Sequence, residues 1–149
     1  MAPFEDHEDI SLLIRDIVEA SKLPTKSRSR DVKPSVANLA SALYERGVLP
    51  DDLSDLIDLI TVPNHLDQAS LNTIARNLYT VSRVSDDVVL RIIASLGHGQ
   101  LKPSLTLQAG LIRWLILVHH VLESPAVLSQ TYQVLFGLLD TAALRYALE

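Results

Sequence analysis

The sequence predicts an all-α fold, a stack of antiparallel helical hairpins, and three observations lead to it. Apolar residues recur at helical spacing in segment after segment, from Ile10 to Leu139, with Gly, Pro, Ser and Asp punctuating the gaps. Paired segments start near residues 35, 68 and 104, a period of about 33 to 36 residues that suits solenoids, in which a pair buries its apolar face only against a stacked neighbour. Leu, Ile, Val and Ala supply the bulk, with 5 Gly, 2 Phe and 1 Trp in 149 residues, the composition of packed helices rather than sheet. An irregular orthogonal bundle contains the same helices; the recurring spacing favours a HEAT-repeat-like solenoid fragment.

Helix one is expected over Glu5 to Lys22. Acidic residues fill its first turn, where the helix dipole favours them, and Ile10, Leu13, Ile14, Ile17 and Val18 form one stripe. The pattern stops from residue 23 to 34, a basic linker bounded by Pro24 and Pro34, so residues 1–22 read as a separately docked arm and 35–149 as the repeat domain. Helix two starts near Ser35, places Val36, Leu39, Ala40, Leu43 and Tyr44 on one face and stops at Gly47. Pro50-Asp51-Asp52 opens helix three, with Leu53, Leu56, Ile57 and Ile60 inward. Helix four carries Leu71, Ile74, Ala75 and Leu78. Ser85-Asp86-Asp87 caps helix five, whose inner face is Val88, Val89, Ile92, Ile93 and Leu96. The hairpins then pair helices two with three, four with five, and six with seven.

The organising stretch is Leu105 to Leu122, apolar over most of its circumference, with a narrow stripe of Thr106, Arg113 and His120. A helix of this kind belongs in the middle of a fold. Within its apolar arc, Gln108 and His119 need hydrogen-bond partners if buried. After Ser124-Pro125, helix seven runs from Val127 to Leu139, and Asp140-Thr141 caps a last helix, Ala142 to Glu149, cut off after barely two turns. Only Leu105 to Leu122 approaches membrane-span length, but it carries Gln108, Arg113, His119 and His120, and a single Arg costs about 2.5 to 3.5 kcal/mol at a bilayer centre. The acidic opening, Met1 to Asp9, is unlike a secretory signal.

Chemical motifs are sparse. No cysteine is present, which removes disulfides, thiolate metal sites and cysteine nucleophiles. Gly97-His-Gly-Gln-Leu-Lys102 lacks the spacing and the ending of a phosphate loop and reads as a helix stop followed by a turn. His119-His120 are neighbours about 100° apart on a helix, whereas chelation from one helix wants i and i+4. No motif for an enzyme or a cofactor emerges, and no small-molecule substrate is implied.

Charge is unevenly spread. Lys22, Lys26, Arg28, Arg30 and Lys33 concentrate five of the 13 basic residues around only Asp31, within a chain of net charge -5. Lys26, Arg28, Arg30 and Lys33 are candidates for a phosphate contact or an import signal, against the plainer reading of a solvated linker clinging to an acidic body. That segment holds no aromatic residue for base stacking. Asp51, Asp52, Asp55 and Asp58, with Asp86 and Asp87, sit at or near helix starts, where dipole compensation explains most of them. If the hairpins stack in parallel, these starts line up as an acidic rim able to receive a basic partner.

One resemblance sharpens this. Leu107-Gln-Ala-Gly-Leu-Ile-Arg-Trp-Leu-Ile-Leu-Val118, followed by Leu128-Ser-Gln-Thr-Tyr-Gln-Val-Leu-Phe-Gly-Leu-Leu-Asp-Thr-Ala-Ala-Leu-Arg145, resembles the N-terminal region of the centromere protein I family of inner-kinetochore subunits. The family pairs an Arg/Lys-Trp-Leu helix with a Leu-Tyr-x-Val-Leu-Phe segment and a Leu-Asp turn. The resemblance implies a non-enzymatic helical-repeat scaffold at the centromere and kinetochore in the nucleus, acting in chromosome segregation. It also implies partners, centromere proteins H and K, whose C-terminal parts the family's N-terminal repeats hold. The residues themselves read as packing: Leu111, Trp114, Leu115, Tyr132, Leu135 and Phe136 are expected core. A nucleic-acid-binding module led by the basic segment 22–33 is the alternative.

Overall fold

A computed structural model describes the backbone of residues 3–124 and 126–139, with side chains from Asp9 onward except those of residues 132, 134–136 and 138–139. The helix expected at 142–149 and the side chains of Tyr132, Leu135 and Phe136 lie outside the described residues. The chain forms seven α-helices there: α1 Pro3–Ser21, α2 Lys33–Arg46, α3 Pro50–Thr61, α4 Gln68–Arg76, α5 Asp86–Ser95, α6 Leu105–Val118 and α7 Ala126–Leu139. The helix expected to continue to Leu122 tightens instead into a 3-10 turn at His119–Val121.

The helices stack in two layers. α1, α3, α5 and α7 pack successively in one, and α2, α4 and α6 in the other. Across the layers α1 packs on α2, α3 on α4 and α5 on α6, so the pairing begins one helix earlier than the sequence period suggests. The cause is linker length. Only Gly47, Val48 and Leu49 join α2 to α3, and Gly47 at φ +74° turns the chain away from α2, whereas the 11 residues between α1 and α2 let α2 fold back on α1.

This changes the role of α1. Ile10, Ile14 and Ile17 are fully buried and belong to the same apolar cluster as Leu39, Leu56, Ile74 and Ile92. Each such burial is worth roughly 1.5 to 3 kcal/mol. The N-terminal helix is therefore the first member of the stack and not an arm held apart. α2 buries Val36, Leu39, Ala42 and Leu43; Tyr44, expected inward, is 68% exposed.

Two short backbone bridges stitch one end of the stack. The Val48 N–H donates to the Tyr79 carbonyl at 2.7 Å and the Val81 N–H to the Val48 carbonyl at 3.2 Å. Val84 repeats the arrangement, its N–H donating to the Val121 carbonyl (2.9 Å) and its carbonyl accepting from the Glu123 N–H (2.7 Å). Successive inter-helix turns are thereby tied in series, satisfying backbone groups that loops between helices otherwise leave open.

α6, expected in the middle of the fold, is instead the last member of its layer among the described residues: it packs on α4 and α5 and leaves Ile116 and Leu117 exposed. Leu107, Gln108, Ala109, Leu111, Ile112, Trp114 and Leu115 are buried. Buried Gln108 finds its partners in the preceding loop: its Oε1 accepts from the Gly97 N–H, and its Nε2 donates to the Gly97 and Pro103 carbonyls, each at 2.9 Å. Trp114 Nε1 donates to the Leu78 carbonyl at 2.7 Å. Among the described residues no helix is long and apolar enough to cross a membrane.

Candidate protein-docking face

Proline at the first position of α3 and acids in its first turn start the helix, and the spacing of the acids then decides where they point. Asp51, Asp55 and Asp58 are separated by four and three residues, and Asp52 and Asp55 by three, so all four share a side of the helix. That side meets α1. Between the two helices lies an open groove of about 510 Å³ whose apolar lining includes Ile14, Val18 and Leu59. Asp52, Asp55 and Asp58 line it from α3, and Arg15 and Lys22 from α1. The turn after α3 adds Val62, more than half exposed, and Asn64.

The acids are not equivalent. Asp52 is buried and accepts a 2.8 Å hydrogen bond from Ser11 Oγ, which fixes α1 to α3. Asp58 pairs with Arg91 of α5 at 2.6 Å. Arg91 also donates to the Ser54 carbonyl and hydroxyl at 3.2 and 2.7 Å, and lies 3.0 Å from Asp87, one turn before it. The two acidic clusters therefore meet at one guanidinium that joins α3 to α5. Asp55 is exposed. Burial of part of its carboxyl, followed by the charges of Asp52, Asp58 and Asp51, pushes its pKa up against the opposing pull of Arg91. Asp86 and Asp87 occupy the first turn of α5 behind Ser85, whose hydroxyl accepts from the Val88 N–H at 3.3 Å.

The basic segment divides. Lys26, Arg30 and Lys33 are exposed. Arg28 is an internal tie: its Nε donates to the Ala20 and Leu23 carbonyls at 3.0 and 3.1 Å, and its Nη2 to the His65 carbonyl at 2.8 Å. The His65 N–H returns a 2.8 Å bond to the Ser21 carbonyl. The end of α1 is thus pinned to the turn between α3 and α4. Exposed His119 and His120 stack edge to face at 5.7 Å, and no group of three metal-ligating side chains occurs among the described residues.

The sequence places the acids near helix starts but carries no sign that α1 forms the opposite wall. Ser11, Arg15 and Arg91 were the missed members. Of these only Arg91, four residues after Asp87, carried a local signal.

No family model matches the chain. Similarity to solved structures is extensive. A crystal structure of centromere protein Cenp-I shares 57% identity with it and superposes with a TM-score of 0.88 over 93% of this chain. The same identity and coverage, with a TM-score of 0.89, hold for a crystal structure of the kinetochore subunits Cenp-H/I/K triple complex. The chain belongs to the centromere protein I family. A curated relative, the inner kinetochore subunit mis6 of Schizosaccharomyces pombe, is 34% identical over 102 residues, or 68% of this chain. The chain spans 65% of each crystallised chain and 15% of mis6. Within the centromere protein I family match, the Arg113-Trp114-Leu115 segment that carried the resemblance lies on α6, with Trp114 and Leu115 buried and Arg113 exposed.

Proposed function

We propose that this chain is a non-enzymatic scaffold of the inner kinetochore, working in the nucleus at the centromere, whose stacked helices bind centromere proteins H and K and so support chromosome segregation. The observation that carries this reading is the 57% identity, over 93% of the chain, to the crystallised triple complex of subunits H, I and K. The acidic side of the odd-numbered layer is the proposed docking face. Asp51, Asp52, Asp55 and Asp58 of α3, with Asp86 and Asp87 of α5, give it a negative potential, and the apolar lining of the α1–α3 groove supplies area for anchors from a partner helix. Charge there selects and steers, while apolar burial holds the complex.

Co-purification with centromere proteins H and K, followed by size-exclusion chromatography with light scattering, tests the proposal. A stoichiometric complex that persists at high salt is expected. The exposed Lys26, Arg30 and Lys33 leave room for a weak DNA contact, whose mark is a salt slope of about -0.9 per phosphate contacted. Binding to duplex DNA with no complex formed would replace the scaffold reading with the nucleic-acid one.

A further inference from the structure

Beyond Lys22 the basic segment has no part in the docking face, yet the residues around Ser29 combine three features. Ser29 is exposed on non-helical backbone, with Arg28 extended at φ -82° and ψ 138°. Lys26 lies three residues before it, and Arg28 and Arg30 flank it, a spacing that suits kinases whose substrate grooves select basic side chains. Ser29 also lines one cavity of about 510 Å³ with Arg28, Arg30 and Lys22, opposite Asp16 and Glu19 of α1.

We propose that Ser29 is a phosphorylation site for a basic-directed kinase, and that the phosphate frees Arg28 from the carbonyls of Ala20, Leu23 and His65. In the transfer, Ser29 Oγ bonds to the γ-phosphorus of a nucleoside triphosphate held by the kinase. The bond from that phosphorus to the β,γ-bridging oxygen breaks, the diphosphate leaves, and the hydroxyl proton passes to the kinase's base. The product places a charge of about -2 in the cavity. Asp16 and Glu19 repel it from α1, Glu19 the less for its 2.9 Å pair with Lys22. Arg28 now chooses between neutral carbonyls and a phosphate that takes two parallel charged hydrogen bonds, about twice as strong as neutral ones. Repulsion and attraction act in the same direction: the linker leaves α1, and the turn containing His65 loses one of its two ties to the α1 end. Because Ser21, Lys22 and Asn64 also line the α1–α3 groove, the modification reaches the docking face. That last consequence rests on the function proposed above; the modification and the local opening do not.

The test treats the purified chain with the catalytic subunit of cyclic-AMP-dependent protein kinase and Mg-ATP, maps phosphate by mass spectrometry, and follows amide hydrogen exchange. One phosphate on Ser29, absent from Ser29→Ala, is expected. The His65 amide should then exchange about tenfold faster or more, while amides of α5 such as Ile92 stay unchanged. Arg28→Ala, without kinase, should reproduce the faster exchange. No modification of the folded chain, or modification only at Ser27, overturns the site. Phosphate on Ser29 with unaltered His65 exchange, or an Arg28→Ala variant that exchanges like the wild type, overturns the release of the tie.

Discussion

Trp114 joins two repeats through one side chain: the indole is buried in the common cluster, and its N–H reaches the carbonyl that follows α4. Trp114→Ala is therefore expected to cost about 3 to 5 kcal/mol in urea unfolding. Trp114→Phe keeps most of the ring but strands the Leu78 carbonyl, and should cost about 1 to 3 kcal/mol. A loss below 1 kcal/mol for the alanine variant would remove Trp114 from the core. Asp67 gives a pH-dependent case. Burial alone pushes its pKa up, but the Ser70 hydroxyl at 2.7 Å, the Ser70 N–H at 3.0 Å and the charge of Lys33 outweigh it, and the net shift is downward. The folded carboxylate thus holds its proton less tightly than the unfolded one, near 3.9. Its contribution is fully present above that value and is lost as pH falls through the lowered folded value. Asp67→Ala should cost about 1 kcal/mol at neutral pH as a lost helix cap, with the difference shrinking in acid. A pH-independent difference would contradict this. Gly47 is a third test, since a Cβ there would lie 2.5 Å from Val81 Cγ1 on backbone at φ +74°. Gly47→Ala should lose about 1 kcal/mol or more of stability, read in the same denaturant titration.

At the scale of elements, the helices themselves were legible, because each apolar stripe has the helical period and its punctuation stands beside it. Ser85, Gly97 and the inner face of α5 lie where the sequence puts them. Pairing was less legible, since a period of about 33 to 36 residues is unchanged when every pair shifts by one helix. What decides it is the length of the α1–α2 link against the α2–α3 link, and a long polar segment looks the same in sequence whether it isolates a helix or lets the next one fold back. Tyr44 failed for a related reason: at i+8 from Val36 it shares the inner face of an ideal helix, but at the end of α2 it instead meets Tyr79 edge to face at 5.5 Å on the surface. Because Ile10, Ile14 and Ile17 are shared core, deleting residues 1–32 should lower the unfolding midpoint and broaden the transition. A truncated chain that unfolds with undiminished cooperativity would restore the docked-arm arrangement.

For the whole molecule, two layers joined by helix packing across them and by the backbone bridges, with Arg91 tying α3 to α5 inside one layer, make a stack whose α1–α3 side has an acidic wall above an apolar lining. The acidic residues were visible in the sequence, but the groove was not, because its second wall comes from a helix that local pattern assigns to a separate unit. The most direct test of the scaffold account is calorimetric titration of a centromere protein H–K subcomplex into this chain and into Asp55→Lys. Asp55 is exposed in the groove and its charged form is already disfavoured by partial burial and by the neighbouring carboxylates, so the substitution changes charge without opening the core. The account predicts tight binding by the wild type and affinity weakened about tenfold or more in the variant, with no loss of thermal stability. Equal affinity for both would place the partners on another face, and no binding by the wild type would contradict the scaffold function itself.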